Sequence, residues 1–227
     1  MAHFVLVHGA SHGVWCWRKV VPLLEAAGHE VAAIDLPAHE DVTLAEYCET
    51  VLAAAHPGSI VVGHSLAGLS ITLAGADPNA DIRALVYVAA FVPEPGARFA
   101  DFRKDAISPK VDTVTRRDGG YSVPIREGSA DIFYNHCNEA DQAYALARLA
   151  PQPISVMTEA LEFTPHDLPR HYVLCTDDRV VLPDYQRRIT QDWPEGTVHE
   201  LATGHSPFFS ETEALARILN SVAEASA

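Results

Sequence analysis

Residues 59–68 read Ser59-Ile60-Val61-Val62-Gly63-His64-Ser65-Leu66-Ala67-Gly68, and their order decides the fold. An apolar run breaks at a glycine, sets down one serine, and resumes in small and apolar residues, which is the pattern of strand, sharp turn and helix. Such a turn strains the serine's backbone and lifts its hydroxyl above the end of the strand, with the N-terminus of the next helix beneath it. Ser65 is therefore the candidate nucleophile. The pattern expected around such a serine is G-x-S-x-G. Here position 67 is alanine, and the second glycine falls one place late, at Gly68.

Upstream, residues 3–7 form a short apolar run rich in β-branched side chains, the mark of a buried strand. The loop His8-Gly9-Ala10-Ser11-His12-Gly13 follows it. Apolar spacing predicts a helix over 15–27 closed by Gly28. A strand over 30–36 stops at Pro37, and a helix over 43–55 opens on the capping box Thr43 and Glu46. Downstream come a small apolar helix over 66–76, a fourth strand over 82–90 and the breaker Phe91-Val92-Pro93-Glu94-Pro95-Gly96.

From there the alternation of strand and helix lapses. Charged stretches such as Arg116-Arg117-Asp118-Gly119-Gly120 mix with two helical runs, near 138–150 and 154–163, and no strand pattern shows. So long a stretch without a strand is an insertion and not a connection. We therefore expect a cap over 94–169, carried by a core made of 1–93 and 170–227. Alternation resumes with a strand over 171–176, a helix over 183–191, a strand over 197–201, the loop Ala202-Thr203-Gly204-His205-Ser206-Pro207 and a closing helix over 211–225. Repeated strand–helix units define the α/β class, with six mostly parallel strands and helices on both faces. Right-handed crossovers bring the functional loops to the carboxyl ends of the strands.

The 227 residues carry 16 Lys+Arg against 30 Asp+Glu, a formal net charge of −14, which argues against a nucleic acid or an acidic membrane as partner. A small neutral or apolar substrate suits this balance, and self-association into a homodimer stays open. Cys16, Cys48, Cys137 and Cys175 lie far apart without metal-ligand spacing, as free thiols of a reducing compartment do. The chain enters its first strand without a basic leader, and no segment approaches the ~18 apolar residues of a membrane span. A cytoplasmic location is expected.

An ordinary serine is a poor nucleophile and needs a base in reach and a third group to orient that base. Only loops that follow strands converge on Ser65. Two of them carry suitable residues: Asp177 and Asp178 after the fifth strand, and His205 after the sixth. The chain order serine, aspartate, histidine is that of hydrolases whose nucleophile sits on a strand-to-helix elbow. Either aspartate could instead open the helix that follows. His64 is read as packing or hydrogen-bonding filler. His8 and His12 flank a glycine loop with neither a helical frame nor a carboxylate nearby, so neither a metal nor a cofactor is expected. The oxyanion of an acyl-transfer intermediate needs two backbone donors. Leu66 N–H, next after the nucleophile, is one, and Ala10 N–H in the first-strand loop is the other.

With these residues in place, the sequence resembles the α/β-hydrolases, and within them the plant methylesterase and hydroxynitrile lyase group with its bacterial relatives. The resemblance rests on His3-Phe4-Val5-Leu6-Val7-His8-Gly9-Ala10, His12-Gly13, Trp15-Cys16-Trp17, the run from Pro22 to His29, Asp35-Leu36, Gly63-His64-Ser65-Leu66-Ala67-Gly68, Val173-Leu174-Cys175-Thr176-Asp177-Asp178 and Gly204-His205. It covers the first 90 or so and the last 60 residues well, and the cap poorly. It implies strand order 2-1-3-4-5-6, and it makes Asp178, two places after Thr176, the acid of the triad. Cyanohydrin cleavage in this group goes with a threonine where Gly9 stands and a lysine where Ser206 stands. The resemblance therefore implies hydrolysis of a small carboxylic ester, aromatic or methyl, over three rivals: a lyase, a cofactor-free oxygenase and a non-catalytic receptor. Ser11, His12, Phe102, Tyr121 and Phe133, with Tyr134, are the candidates for substrate contact or for the cap's own core.

Overall fold

The structure is a computed structural model that describes residues 1–226, with residues 103 and 104 described by their backbone alone. Its first four strands are β1 (His3–Val7), β2 (Glu30–Ile34), β3 (Ser59–His64) and β4 (Ile82–Val88). Three short ones follow, β5 (Thr115–Asp118), β6 (Tyr121–Pro124) and β7 (Gln152–Pro153). The last two are β8 (Arg170–Cys175) and β9 (Val198–Leu201). Six of them pair in the order β2-β1-β3-β4-β8-β9, every neighbour parallel. The strands at the centre are apolar without alternation because both faces are covered: every residue of β3 is buried, and so are all of β1 but His3.

The chain turns at the carboxyl edge of this sheet as the sequence predicts, with local adjustments. The predicted helix over 15–27 is a 3₁₀ turn, Val14–Trp17, followed by an α-helix, Val20–Ala26. Tertiary packing overrides the apolar spacing here: Trp15 stacks on His12 while Trp17 is buried edge-on against Phe208. The capping box at Thr43 and Glu46 is formed in both directions.

The larger departure lies in 94–169. The sequence shows no strand there, yet β5, β6 and β7 form a separate antiparallel sheet. Asp118 pairs with Tyr121 around Gly119 and Gly120, and Gly119 has φ +59. That two-residue turn favours glycine because its backbone twist needs positive φ. The second helical run, 154–163, shrinks to one turn, Ser155–Thr158, and the first to Glu139–Leu146. Backbone bonds join the segment to the loop that follows β8, with Ser108 N–H donating to Val180 O at 2.9 Å and Leu182 N–H to Ala106 O at 2.8 Å. The four cysteines are free thiols, three of them buried. Among the described residues no helix is long and apolar enough to cross a membrane.

Candidate active site

Ser65 follows the last residue of β3 and sits at φ +54, the left-handed conformation that side chains rarely adopt. The strain is held by the backbone on both sides: Ser65 N–H donates to Val88 O at 3.1 Å, and Ser65 O accepts from Phe91 N–H at 3.2 Å and Gly68 N–H at 3.1 Å. The late glycine now has a physical reason. A Cβ on Gly68 would lie 1.9 Å from Phe91 O, so the loop after β4 crosses the helix at position 68 and not at 67. Gly63 fills the other tight place, where a Cβ would meet Ile71 at 2.9 Å. Ala67 is buried without needing to be glycine.

The loops after β8 and β9 supply the partners. His205 is 2 % exposed, and its Nδ1 lies 2.8 Å from Asp178 Oδ2. An ionised carboxylate only accepts, so His205 Nδ1 carries the proton and Nε2 keeps its lone pair. Asp178 is anchored by three further donors: Val180 N–H at 2.7 Å and Val181 N–H at 3.0 Å on Oδ1, and Gln186 Nε2 at 3.0 Å on Oδ2. Asp177 differs in every respect: its side chain is 54 % exposed and faces His136 at 3.3 Å. Neither aspartate opens the next helix, whose first turn begins at Pro183 after Leu182 with no side-chain bond.

Ser65, His205, Ala10 and Leu66 line one cavity of about 100 Å³. Among the described residues no hydrogen bond joins Ser65 Oγ to His205, and the N–H groups of Ala10 and Leu66 have no acceptor. The orientation of the Ala10 amide follows from its neighbour. Leu36 N–H donates to His8 Nε2 at 3.1 Å, so the proton of that ring is on Nδ1, which donates to Gly9 O at 2.8 Å. The peptide is trans, so fixing Gly9 O on one side sets Ala10 N–H on the other. Gly9 itself is pressed against the elbow, where a Cβ would stand 2.8 Å from both Ser65 Cβ and His64 Nδ1. A threonine does not fit there without moving Ser65.

Three more histidine contacts complete the floor. His64 Nε2–H donates to the backbone carbonyl of His205 at 2.8 Å, tying the residue before Ser65 to the loop after β9. The reading of His64 as hydrogen-bonding filler thus acquires a specific partner. His12 Nδ1–H donates to Ala10 O at 2.8 Å, and its Nε2 accepts from Tyr134 O–H at 2.9 Å. Burial pushes the His8 ring down, takes His12 to about 3, and holds His64 well below the usual imidazole range, with nearby His205 adding to the last. All three are neutral at pH 7.

Of the residues expected to touch substrate, Ser11, His12 and Phe133 line the cavity. Phe102 does not; it packs on Phe91 and Tyr185 in the core. Tyr121 does not either: it belongs to β6, and its hydroxyl reaches Ala38 O. Tyr134 is fully buried beneath His12. Sequence reasoning missed Phe91 and Val180, although both sit in loops just after strands and could have been found by that rule. It also missed Ile107, Val111 and Met157, which carry no such signal. Ser206, where the lyases have lysine, is buried outside the cavity with its hydroxyl donating to Phe133 O at 2.8 Å.

A serine on a strained strand-to-helix turn shares one cavity with a histidine oriented by a buried aspartate, at the carboxyl edge of a six-stranded parallel sheet. The chain belongs to the Alpha/beta hydrolase family, whose model matches residues 4–218. Within it, the plant methylesterases are its group: Methylesterase 7 of Arabidopsis thaliana is 33 % identical over 97 % of this chain and 96 % of its own. Among solved structures, a pyrethroid hydrolase from Sphingobium faniae JZ-2 superimposes with TM-score 0.87 at 26 % identity, covering 99 % of this chain and 98 % of that one. A methylesterase from Arabidopsis gives TM-score 0.82 at 26 % identity, covering 99 % of both chains.

Proposed function

We propose that this protein is a carboxylesterase that hydrolyses small carboxylic esters, aromatic or methyl, through Ser65, His205 and Asp178. The observation that carries the reading is the shared cavity: it is lined by Ser65, by His205, whose Nδ1–H is held by Asp178, and by Ala10 and Leu66, whose N–H groups have no acceptor among the described residues. In the first step His205 Nε2 takes the Ser65 proton as Oγ bonds to the ester carbonyl carbon. The carbonyl oxygen becomes an oxyanion held by Ala10 and Leu66 N–H. Collapse breaks the ester bond, and the alcohol leaves with the proton from His205. Water, deprotonated by the same ring, then attacks the acyl-enzyme, and Ser65 departs with the proton as the acid is released.

The segment 94–169 acts in this reading as a cap. It contributes Phe99, Ile107, Val111, Phe133 and Met157 to the cavity together with the polar Asp112, Thr115, Ser122 and Gln152, a mostly apolar lining suited to an uncharged acyl or alcohol group. The family resemblance to lyases is weighed against Gly9, which leaves no room for the threonine hydroxyl, and Ser206, which turns away from the cavity. The test is a panel of p-nitrophenyl acetate, small methyl esters and mandelonitrile on the wild-type protein. Ester turnover without cyanide release is expected. Cyanide release without ester turnover would make it a lyase, and ligand binding without either would make it a receptor.

A further inference from the structure

The amino ends of the sheet, the edge opposite Ser65, carry a second cluster of chemistry. His3 opens β1 and Glu30 opens β2, where they are register partners, and His56 lies just before β3. One ligand atom from each of the three falls within 4.8 Å of the others. The two imidazoles stack at 4.2 Å between centroids, inclined by 12°. His56 Nδ1 stands 3.9 Å from Glu30 Oε1, and both of those side chains are more than half exposed.

The tautomer of His3 is fixed by Ser59. The hydroxyl of Ser59 donates its one proton to His56 O at 2.6 Å and accepts His56 N–H at 2.7 Å. His3 Nδ1, 2.7 Å away, must therefore be the donor in the remaining contact, which leaves Nε2 as a bare lone pair. A hydrogen bond that orients an imidazole and sets its tautomer is what metal-ligating histidines have on their other nitrogen.

We propose that His3, His56 and Glu30 form a binding site for a first-row divalent metal ion, Zn²⁺ above all. Two imidazoles and one carboxylate are a common zinc donor set, with a fourth position left to water. A tetrahedral ion at ~2.0–2.1 Å needs its ligand atoms about 3.3 Å apart. His3 is held in place, and the exposed His56 and Glu30 side chains close the remaining distance by rotation. The ion would clamp the starts of three adjacent strands, β2, β1 and β3, a stabilising role separate from ester hydrolysis.

The experiment is calorimetric titration of the full chain, without a polyhistidine tag, with ZnCl₂, paired with thermal unfolding. One ion per chain is expected, raising the melting temperature because the ion binds the folded chain and not the unfolded one. His56→Ala and Glu30→Gln, both on exposed side chains, should each weaken binding more than ~10-fold, and Ser59→Ala by ~10–100-fold through the lost orientation of His3. His205→Ala should bind as the wild type does, and His56→Ala should hydrolyse esters as the wild type does. The proposal is overturned if no saturable binding occurs, if His56→Ala and Glu30→Gln bind normally, or if His205→Ala abolishes the site.

Discussion

The carboxyl rim of the six-stranded sheet and the 94–169 segment both line the cavity, but they are specified in different ways. At the rim a single atom decides each position. Gly68 has no room for a Cβ beside Phe91 O, Gly9 none beside Ser65, and Asp178 is saturated by four donors. In the 94–169 segment the specification is spread over contacts between residues far apart in the chain. Asn135 Nδ2 donates to Asp177 O, and a Cβ on Gly204 would lie 2.2 Å from Asn135 Oδ1. Asp141, almost fully buried, pairs with Arg18 at 2.9 Å and Lys19 at 2.5 Å across to the first helix of the core. Local backbone geometry fixes the residues of the rim, while the shape of the cavity depends on how the 94–169 segment packs against the core.

The largest effect should come from the rim. Asp178→Asn keeps the shape but leaves His205 Nδ1 facing an amide, which can present the wrong hydrogen-bonding face and tautomer. A loss on the order of 10⁴ in kcat is expected, with KM little changed. A loss below about tenfold would mean that Asp178 is structural and that the rim tolerates a change of its donor and acceptor pattern. Next comes Gly68→Ala. Its added methyl collides with a backbone carbonyl that cannot rotate away, so destabilisation of ~3 kcal/mol or more is expected by chemical denaturation, the upper end of the usual overpacking range. Normal stability would show that the loop at Phe91 yields.

The smallest effect should fall on the segment. Asp141→Asn removes the charge between Arg18 and Lys19, whose side chains are 38 % and 35 % exposed and so screened by water. Only about 1–2 kcal/mol of stability should be lost, less than for a fully buried pair. If the segment is docked by this contact, KM for esters should rise several-fold while kcat stays close to wild type. An equal fall in kcat would show that the segment also positions the reacting groups, and the contrast between the two regions would weaken.

The same contrast explains what could be read in the sequence. The strands of the core are legible because burial on both faces makes them unbroken apolar runs, and Ser65 is legible because its turn demands small neighbours. Asp178 and His205 are legible only as loop residues after strands; position alone does not separate Asp178 from Asp177, and it is the Asp178 carboxylate that accepts from His205 Nδ1 and three further donors. The late glycine at 68 is an irregularity in the sequence and a requirement in three dimensions. In the segment, β5 and β6 span four residues each and β7 two, too short for alternation to register, and the charged side chains of Arg116, Arg117 and Asp118 hid the first of them. The signal that was present is Gly119-Gly120, a hairpin turn between two short runs. Phe102 and Tyr121 looked like stacking partners by residue type, but side-chain type does not say which face of a docked segment meets the cavity. Ile107, Val111 and Met157 do meet it.

The central claim is that Ser65, on its strained turn, is the group that bonds to the ester carbon. The direct test is Ser65→Ala, confirmed as folded by its thermal unfolding, assayed for kcat against the esters the wild type turns over. A fall on the order of 10⁴ to 10⁶ is the predicted result, with the residue left over owed to the oxyanion donors and to binding. A loss of less than about 10³-fold would contradict it, and would instead leave His205 and Asp178 acting without a nucleophile on the enzyme.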